Sequence, residues 1–332
     1  MNGAIMQNNY TNLKQTQVAI KKVKDHFQVN LAKTLNLTRV SAPLFVRPES
    51  GLNDNLNGEP AVGFDLTDSG IHVEIVQSLA KWKRAALKRY EFAKGEGLYT
   101  DMNAIRANEK VDFIHSVYVD QWDWEKIISR EQRTQEYLHN TVKDIFEVFK
   151  NTEKMINEEY KGKLSQKLPE EIFFISSQEL LYMYPDLDAK QREYEITKDK
   201  KAVFIQGIGK KLSNGEEHDL RSPDYDDWDL NGDILFFNPI TDSALELSIM
   251  GIRVDEKSLL SQLKILGLEE RLTRQYHKDL VEGNLPLTMG GGIGQSRICM
   301  YMLEKKHIGE VQASVWDEEN IKYAEKEGII LL

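Results

Sequence analysis

The spacing of its apolar runs constrains this chain most. Short runs typical of strands lie at residues 44–47, 72–77, 115–123, 172–175, 202–206, 234–237 and 244–248. Long, irregular excursions separate them, not the regular strand–helix–strand units of roughly 30 residues that build a doubly wound parallel sheet. Helical segments interleave with these runs throughout, and no repeat or low-complexity linker divides them. The pattern predicts an α+β fold, one domain over residues 1–332, with residues 1–9 a flexible or non-native leader.

Ile20, Val23, Phe27, Leu31 and Leu35 recur at three- and four-residue steps, which predicts an amphipathic helix over 13–35. Leu138, Val142, Ile145, Phe149 and Ile156 do the same within 130–161. Further helices are expected over 81–92, 259–266, 269–282 and 295–304. Residues 51–63, rich in Gly, Asn, Asp and Pro, read as a mobile loop. Residues 95–100 read as a turn, and 290–294 as a tight glycine loop opening onto a helix.

Charge narrows the function. Acids number 53 against 43 bases, a net charge of -10. Nucleic acids and membrane surfaces are polyanions, so a general binder of either is excluded. No segment approaches the ~20 apolar residues of a membrane span, and the N-terminus lacks a signal-peptide layout. A lone cysteine, Cys299, excludes a disulfide framework and a multi-thiolate zinc site, and suits a reducing compartment. A cytoplasmic protein is expected.

Several constellations carry chemistry. Gly207-Ile-Gly209-Lys210 lacks the spacing of a phosphate loop and reads as a turn. In Gly290-Gly-Gly-Ile-Gly294, bare backbone lets a ligand approach closely. Arg297, in the first helical turn beyond, has the fork to clamp a phosphate or the plane to stack on a base; the alternative is an exposed helix-start arginine. Asp233 and Glu246 lie in runs joined by a turn at Asn238–Pro239, so their strands pair antiparallel. Two carboxylates with phosphate oxygens suit Mg2+; acids on an outer sheet face are the alternative. Gln121, Asp123 and Glu125 alternate and share one strand face. Gln77 and Lys83 flank a strand-to-helix turn beside them. Carboxylates to take an ammonium and a lysine to take a carboxylate fit a zwitterion. Trp122 and Trp124 would then face the core, as they also would behind an exposed sheet face.

Together these residues resemble the catalytic core of class II aminoacyl-tRNA synthetases. Pro43 after the long helix resembles motif 1, Arg106 in Ala-Ile-Arg-Ala-Asn-Glu109 resembles the motif 2 arginine, and Gly290 to Arg297 resembles motif 3. Gln77 to Lys83, His115 to Glu125, Glu246 to Arg253 and the loop around Asp54 are similar to the aspartate-specific branch. Over nearly the whole chain the runs are similar to a smaller family built on that core, the ammonia-dependent aspartate–ammonia ligases. The stretches before Pro43 and after Arg297 are too short for an anticodon-binding barrel, so no nucleic-acid partner is expected.

The resemblance implies a homodimer formed through motif 1 and an antiparallel sheet. It implies conversion of L-aspartate, ammonia and ATP to asparagine, AMP and pyrophosphate with Mg2+, through β-aspartyl-AMP. Arg106 is then expected at the α-phosphate, Arg297 at the phosphates or adenine, His218 and Arg221 at the outer phosphates, and Asp233 and Glu246 at the metal. Lys83 is expected on the aspartate side-chain carboxylate, Arg253 on the α-carboxylate, and Gln121 and Asp123 on the α-ammonium, with Gln77 beside them. Asp54 is the expected proton acceptor in the ammonia step. Glutamine-dependent amidotransferases need a cysteine nucleophile. Cys299 reads as a packing residue, so free ammonia is the expected nitrogen donor. Two other readings are an aspartyl-tRNA synthetase-like enzyme acting on RNA and a non-catalytic paralogue. Acidity weighs against the first, and the presence of Arg106, Arg297, Asp233 and Glu246 against the second.

Overall fold

A computed structural model describes residues 12–53 and 60–332. The expectations for residues 1–9 and for Asp54 lie outside the described residues. Helix α1 (Leu13–Leu35) forms where the apolar repeat predicts it. Asn12 caps it: its side chain accepts from the Gln15 N–H, and the Gln15 side chain accepts in return from the Asn12 N–H. Strands β1 (Leu37–Arg39), β2 (Phe45–Val46), β3 (Gly63–Asp65) and β4 (His72–Ile75) lead to helix α2 (Ala80–Arg89). Strands β5 (Gly97–Ile105) and β6 (Tyr118–Ile127) precede the long helix α3 (Gln135–Glu159). Then come β7 (Phe173–Ser176), α4 (Ser177–Met183), α5 (Ala189–Lys200), β8 (Ala202–Gln206), β9 (Asp226–Asn238) and β10 (Ser243–Arg253). Helices α6 (Glu256–Leu266) and α7 (Gln275–Val281), strand β11 (Thr288–Gly294) and helices α8 (Gln295–Met302) and α9 (Glu318–Glu327) complete the order. Among the described residues, no helix is long and apolar enough to cross a membrane.

The main sheet runs β1-β5-β6-β11-β10-β9-β8-β7, and β2-β4-β3 form a small second sheet. From β5 to β8 every neighbouring pair is antiparallel, as expected. The edge strands β1 and β7 pair in parallel. Parallel pairing needs a crossover, which α4 and α5 supply between β7 and β8. The sequence reading placed no helix there, because α4 spans only seven residues and α5 is largely polar.

One face of the sheet is the core. Phe27 of α1 stacks on Trp122 of β6 with centroids 5.0 Å apart, and Phe149 of α3 packs on Phe236 of β9 at 5.0 Å. Trp122 and Trp124 are fully buried in this cluster. Alternation therefore sends Gln121, Asp123 and Glu125 to the opposite face, as the sequence predicts.

Two sequence expectations fail here. Residues 95–100 are not simply a turn, since β5 begins at Gly97. Its polar Thr100, Asp101 and Asn103 hide the strand signal, and pairing with β1 and β6 on both sides makes it. Residues 290–294 are not a loop but the central strand β11, and none of them takes positive φ. The glycines are there for space. A Cβ at Gly290 would lie 2.0 Å from Glu125 Oε2 and 2.6 Å from the Trp124 carbonyl oxygen. One at Gly292 would lie 2.4 Å from Gln121 Oε1. Bare backbone lets the side chains of β6 cross over it. Gly290→Ala is expected to cost about 1–3 kcal/mol of stability by overpacking, read as a lower denaturation midpoint; an unchanged midpoint would show that the crossing side chains yield freely.

Candidate active site

The polar face of β6, β11 and β10 carries a buried charge cluster. Lys83 projects from α2, and its ammonium donates to Asp123 Oδ1 at 2.7 Å and to the Gly291 carbonyl oxygen at 3.0 Å. Two of its three donors are used. Burial, more than any neighbour, pulls the Lys83 ammonium below the usual lysine range, while Asp123 opposes the shift. Arg253, at the end of β10, forks onto Glu125, with Nε 3.1 Å from both carboxylate oxygens and Nη2 2.8 Å from Oε2. Its Nη1 reaches Asp226 Oδ1 at 2.5 Å. Burial alone would raise the Glu125 carboxyl, but the Arg253 guanidinium overrides it and holds it below its usual range.

Three carboxylates thus face Lys83 and Arg253 in a buried site, with Arg221 Nε 3.8 Å from Asp226 Oδ2. Gln77 Oε1, Asp123 Oδ2 and Asp226 Oδ2 are buried without a hydrogen-bond partner. Buried unpaired acceptors are costly unless something donates to them. This cluster has the chemistry to receive an ammonium, with the third Lys83 donor left for a carboxylate. The structure brings Lys83, Asp123 and Arg253 together. Gln121 stands beside Asp123, since a Cβ at Gly292 would meet both. Glu125 was legible as a face-sharing acid but received no role. Asp226 was missed, because nothing local announces an ion pair with a residue 27 positions away.

Beside this cluster lies an arginine-lined recess whose walls also carry Glu109, Glu193, Asp219 and Glu246. Two contiguous hollows share Arg106, His115, Glu246 and Arg297. Arg297 donates to the Glu246 carbonyl oxygen at 2.8 Å and lies 3.4 Å from its carboxylate. Arg221 donates to Asp233 Oδ1 at 2.5 Å. Arg221 also lines the recess, but His218 does not. His218 is buried behind it, with Nε2 3.2 Å from Glu193 Oε1. Lys190 of α5, given no role by the sequence reading, lines the recess instead.

Magnesium would fall to the paired acids Asp233 and Glu246. Burial pushes the Asp233 carboxyl up to about 8, Arg221 opposing and Glu246 and Asp219 adding to the rise. Each acid already faces a cation, Asp233 with Arg221 and Glu246 with Arg297. Among the described residues no group of three or more His, Cys, Asp or Glu gathers as a metal cage. One or two carboxylates completed by phosphates and water is the ordinary magnesium arrangement. Asp233 and Glu246 fit that role.

A second buried knot supports the site. Asp224 Oδ2 takes Lys81 of α2 at 2.9 Å, Arg271 at 3.0 Å and His277 of α7 at 2.8 Å, while Ser222 donates to Oδ1 at 2.7 Å. Burial would raise this carboxyl, but Lys81, His277 and Arg271 hold it well below its usual range. The expected helix over 269–282 is broken at Arg274, whose backbone is extended. That break lets Arg271 and His277 both turn toward Asp224.

An antiparallel sheet core with a polar cluster and an arginine-lined recess on one face defines the fold of the class II aminoacyl-tRNA synthetase core. The asparaginyl-tRNA synthetase of Pyrococcus horikoshii, solved with asparaginyl-adenylate, matches it with a TM-score of 0.65 at 16% identity, over 90% of this chain and 68% of that one. At that identity the likeness is one of fold. Sequence carries the assignment further: the aspartate-ammonia ligase family model matches residues 14–328, and the chain belongs to that family. The aspartate–ammonia ligase of Clostridium tetani is 62% identical over 322 residues, 96% of this chain and 94% of its own. That of Ruminiclostridium cellulolyticum is 58% identical over 337 residues, covering 100% of both.

Proposed function

We propose that this protein amidates the side-chain carboxylate of L-aspartate with free ammonia, consuming ATP and releasing asparagine, AMP and pyrophosphate. The observation that carries the reading is the juxtaposition of the Lys83–Asp123 and Arg253–Glu125 cluster with the recess lined by Arg106, Arg221 and Arg297. The first suits a small zwitterion and the second a polyphosphate. The reading extends to a single catalytic domain, a homodimer joined through the region of Pro43, and a cytoplasmic setting.

A carboxylate resists attack by ammonia because oxide is a poor leaving group. Transfer of AMP to the aspartate side chain replaces oxide with a phosphate ester. The protein's part is positioning and charge neutralisation. Lys83 holds the reacting carboxylate, and Asp123 with Gln121 takes the α-ammonium. Arg253 keeps the α-carboxylate in register while Glu125 and Asp226 fix its plane. Gln77, buried at the entry to α2, offers its free carbonyl oxygen to the amino acid. Arg106 meets the charge that develops at the α-phosphate, and Arg297 binds the nucleotide. Asp233 and Glu246 would hold Mg2+, which neutralises phosphate charge when bound. Asp54 is proposed, from its place in the sequence, as the proton acceptor for ammonium.

Cys299 fits no part of a glutaminase. It is fully buried, and burial pushes its thiol up to about 12. The thiolate is the nucleophile, so at neutral pH this group is inert. Cys299→Ala is expected to keep full ammonia-dependent activity, and iodoacetamide should leave the native enzyme untouched. Loss of activity on alkylation of the folded protein would contradict this.

A coupled pyrophosphate assay with ATP, magnesium and aspartate, with and without ammonium, tests the function. Asparagine and AMP should accumulate only with ammonium. Asparagine made from glutamine alone, or aspartate esterified to tRNA in its place, would overturn the reading.

A further inference from the structure

We propose that Lys190 is a substrate-contacting cation that grips the outer phosphates of ATP and the departing pyrophosphate, aimed by Glu193. The inference deepens the function proposed above and rests on it.

Lys190 sits in the first turn of α5, a helix capped by Asp188. Its ammonium lies 3.0 Å from both Glu193 oxygens and 3.6 Å from Asp219 Oδ2. A solvent-facing lysine on a helix ordinarily wanders, because its four-carbon stem is flexible. Here two carboxylates fix where the ammonium points. The side chain is still 68% exposed, and it borders the recess also lined by Arg106, Arg221, Arg297 and Glu246.

The support behind Lys190 is buried. Glu193 Oε1 also meets His218, whose Nε2 is 3.2 Å away. Burial would raise the Glu193 carboxyl, yet His218 and Lys190 keep it below its usual range, so it stays an acceptor. The His218 side chain is 2% exposed and that of Lys190 68%. Of the two, only Lys190 can meet a bound phosphate. Charge density in ATP is greatest on the outer phosphates, and an ammonium acts on them as a point charge. His218 and Glu193 are positioning residues, and Lys190 makes the contact.

Aspartate-dependent exchange of labelled pyrophosphate into ATP measures this directly. Lys190→Gln should raise KM for both ATP and pyrophosphate by roughly tenfold or more, the loss of one charge-assisted contact. KM for aspartate should stay within about twofold. Lys190→Arg keeps the charge and should recover much of the lost affinity. Glu193→Gln should move the same two constants in the same direction, with its thermal midpoint measured alongside. Unchanged ATP and pyrophosphate constants in a folded Lys190→Gln protein would overturn the inference. An equal rise in the aspartate constant would overturn it too, by making Lys190 a general structural residue. Absence of exchange in the wild-type protein would instead sink the functional reading beneath it.

Discussion

Asp224→Asn is expected to destabilise the protein by about 3–5 kcal/mol, because it strips the carboxylate from a buried knot and leaves its cations uncompensated. Lys81, Arg271 and His277 converge on Asp224, which is itself wholly buried. An amide can accept only part of what they donate and carries no charge. For a chain of this size the thermal midpoint should fall by roughly 4–7 °C. The pH dependence has a definite sign. The folded carboxyl titrates well below its unfolded value of about 4. Its stabilisation is therefore complete above about pH 4 and is lost as pH falls through the folded value. The gap between wild type and variant should narrow on acidification below about pH 4. A midpoint equal to wild type at pH 7, or a gap that widens in acid, would refute the role given to this knot. The effect should reach the site as well, since Lys81 shares α2 with Lys83 and Asp224 lies two residues before Asp226.

Lys83→Ala should remove aspartate-dependent pyrophosphate exchange almost entirely, by about 10²–10³-fold. The ammonium is 1% exposed and supplies the donor proposed for the reacting carboxylate. Its loss also leaves the buried Asp123 carboxylate without its ion-pair partner. The ATP constant should change little, because the recess lined by Arg106 and Arg297 is separate from Lys83. Exchange at the wild-type rate in a folded variant would take Lys83 out of the site. A matched loss of ATP affinity would point to collapse of the sheet face instead.

Much of the scaffold was legible because local periodicity reports local structure. The apolar repeat from Ile20 to Leu35 gives α1, and the alternation around Trp122 and Trp124 assigns both faces of β6. The turn at Asn238–Pro239 implies that β9 and β10 pair antiparallel. It does not give the register, which sets Leu235 opposite Glu246 and Asp233 opposite Ile249. The helix over 130–161 was legible too, though Thr134 caps it and trims it to Gln135–Glu159. Family resemblance, carried on runs such as Gln77 to Lys83, supplied the reaction and the residue roles. Composition did not.

The sequence by itself therefore determined which residues share a face: Gln121, Asp123 and Glu125 on one side of β6, the two tryptophans on the other. Only the tertiary structure decided what each charge meets. Arg253 and Glu125 are 128 residues apart in sequence, yet they form the tightest fork of the site. Lys190 opens on the recess while His218 turns behind it. The glycines of β11 are a strand because side chains of β6 need to cross them. Each outcome follows from packing between distant segments, where sequence periodicity carries no information.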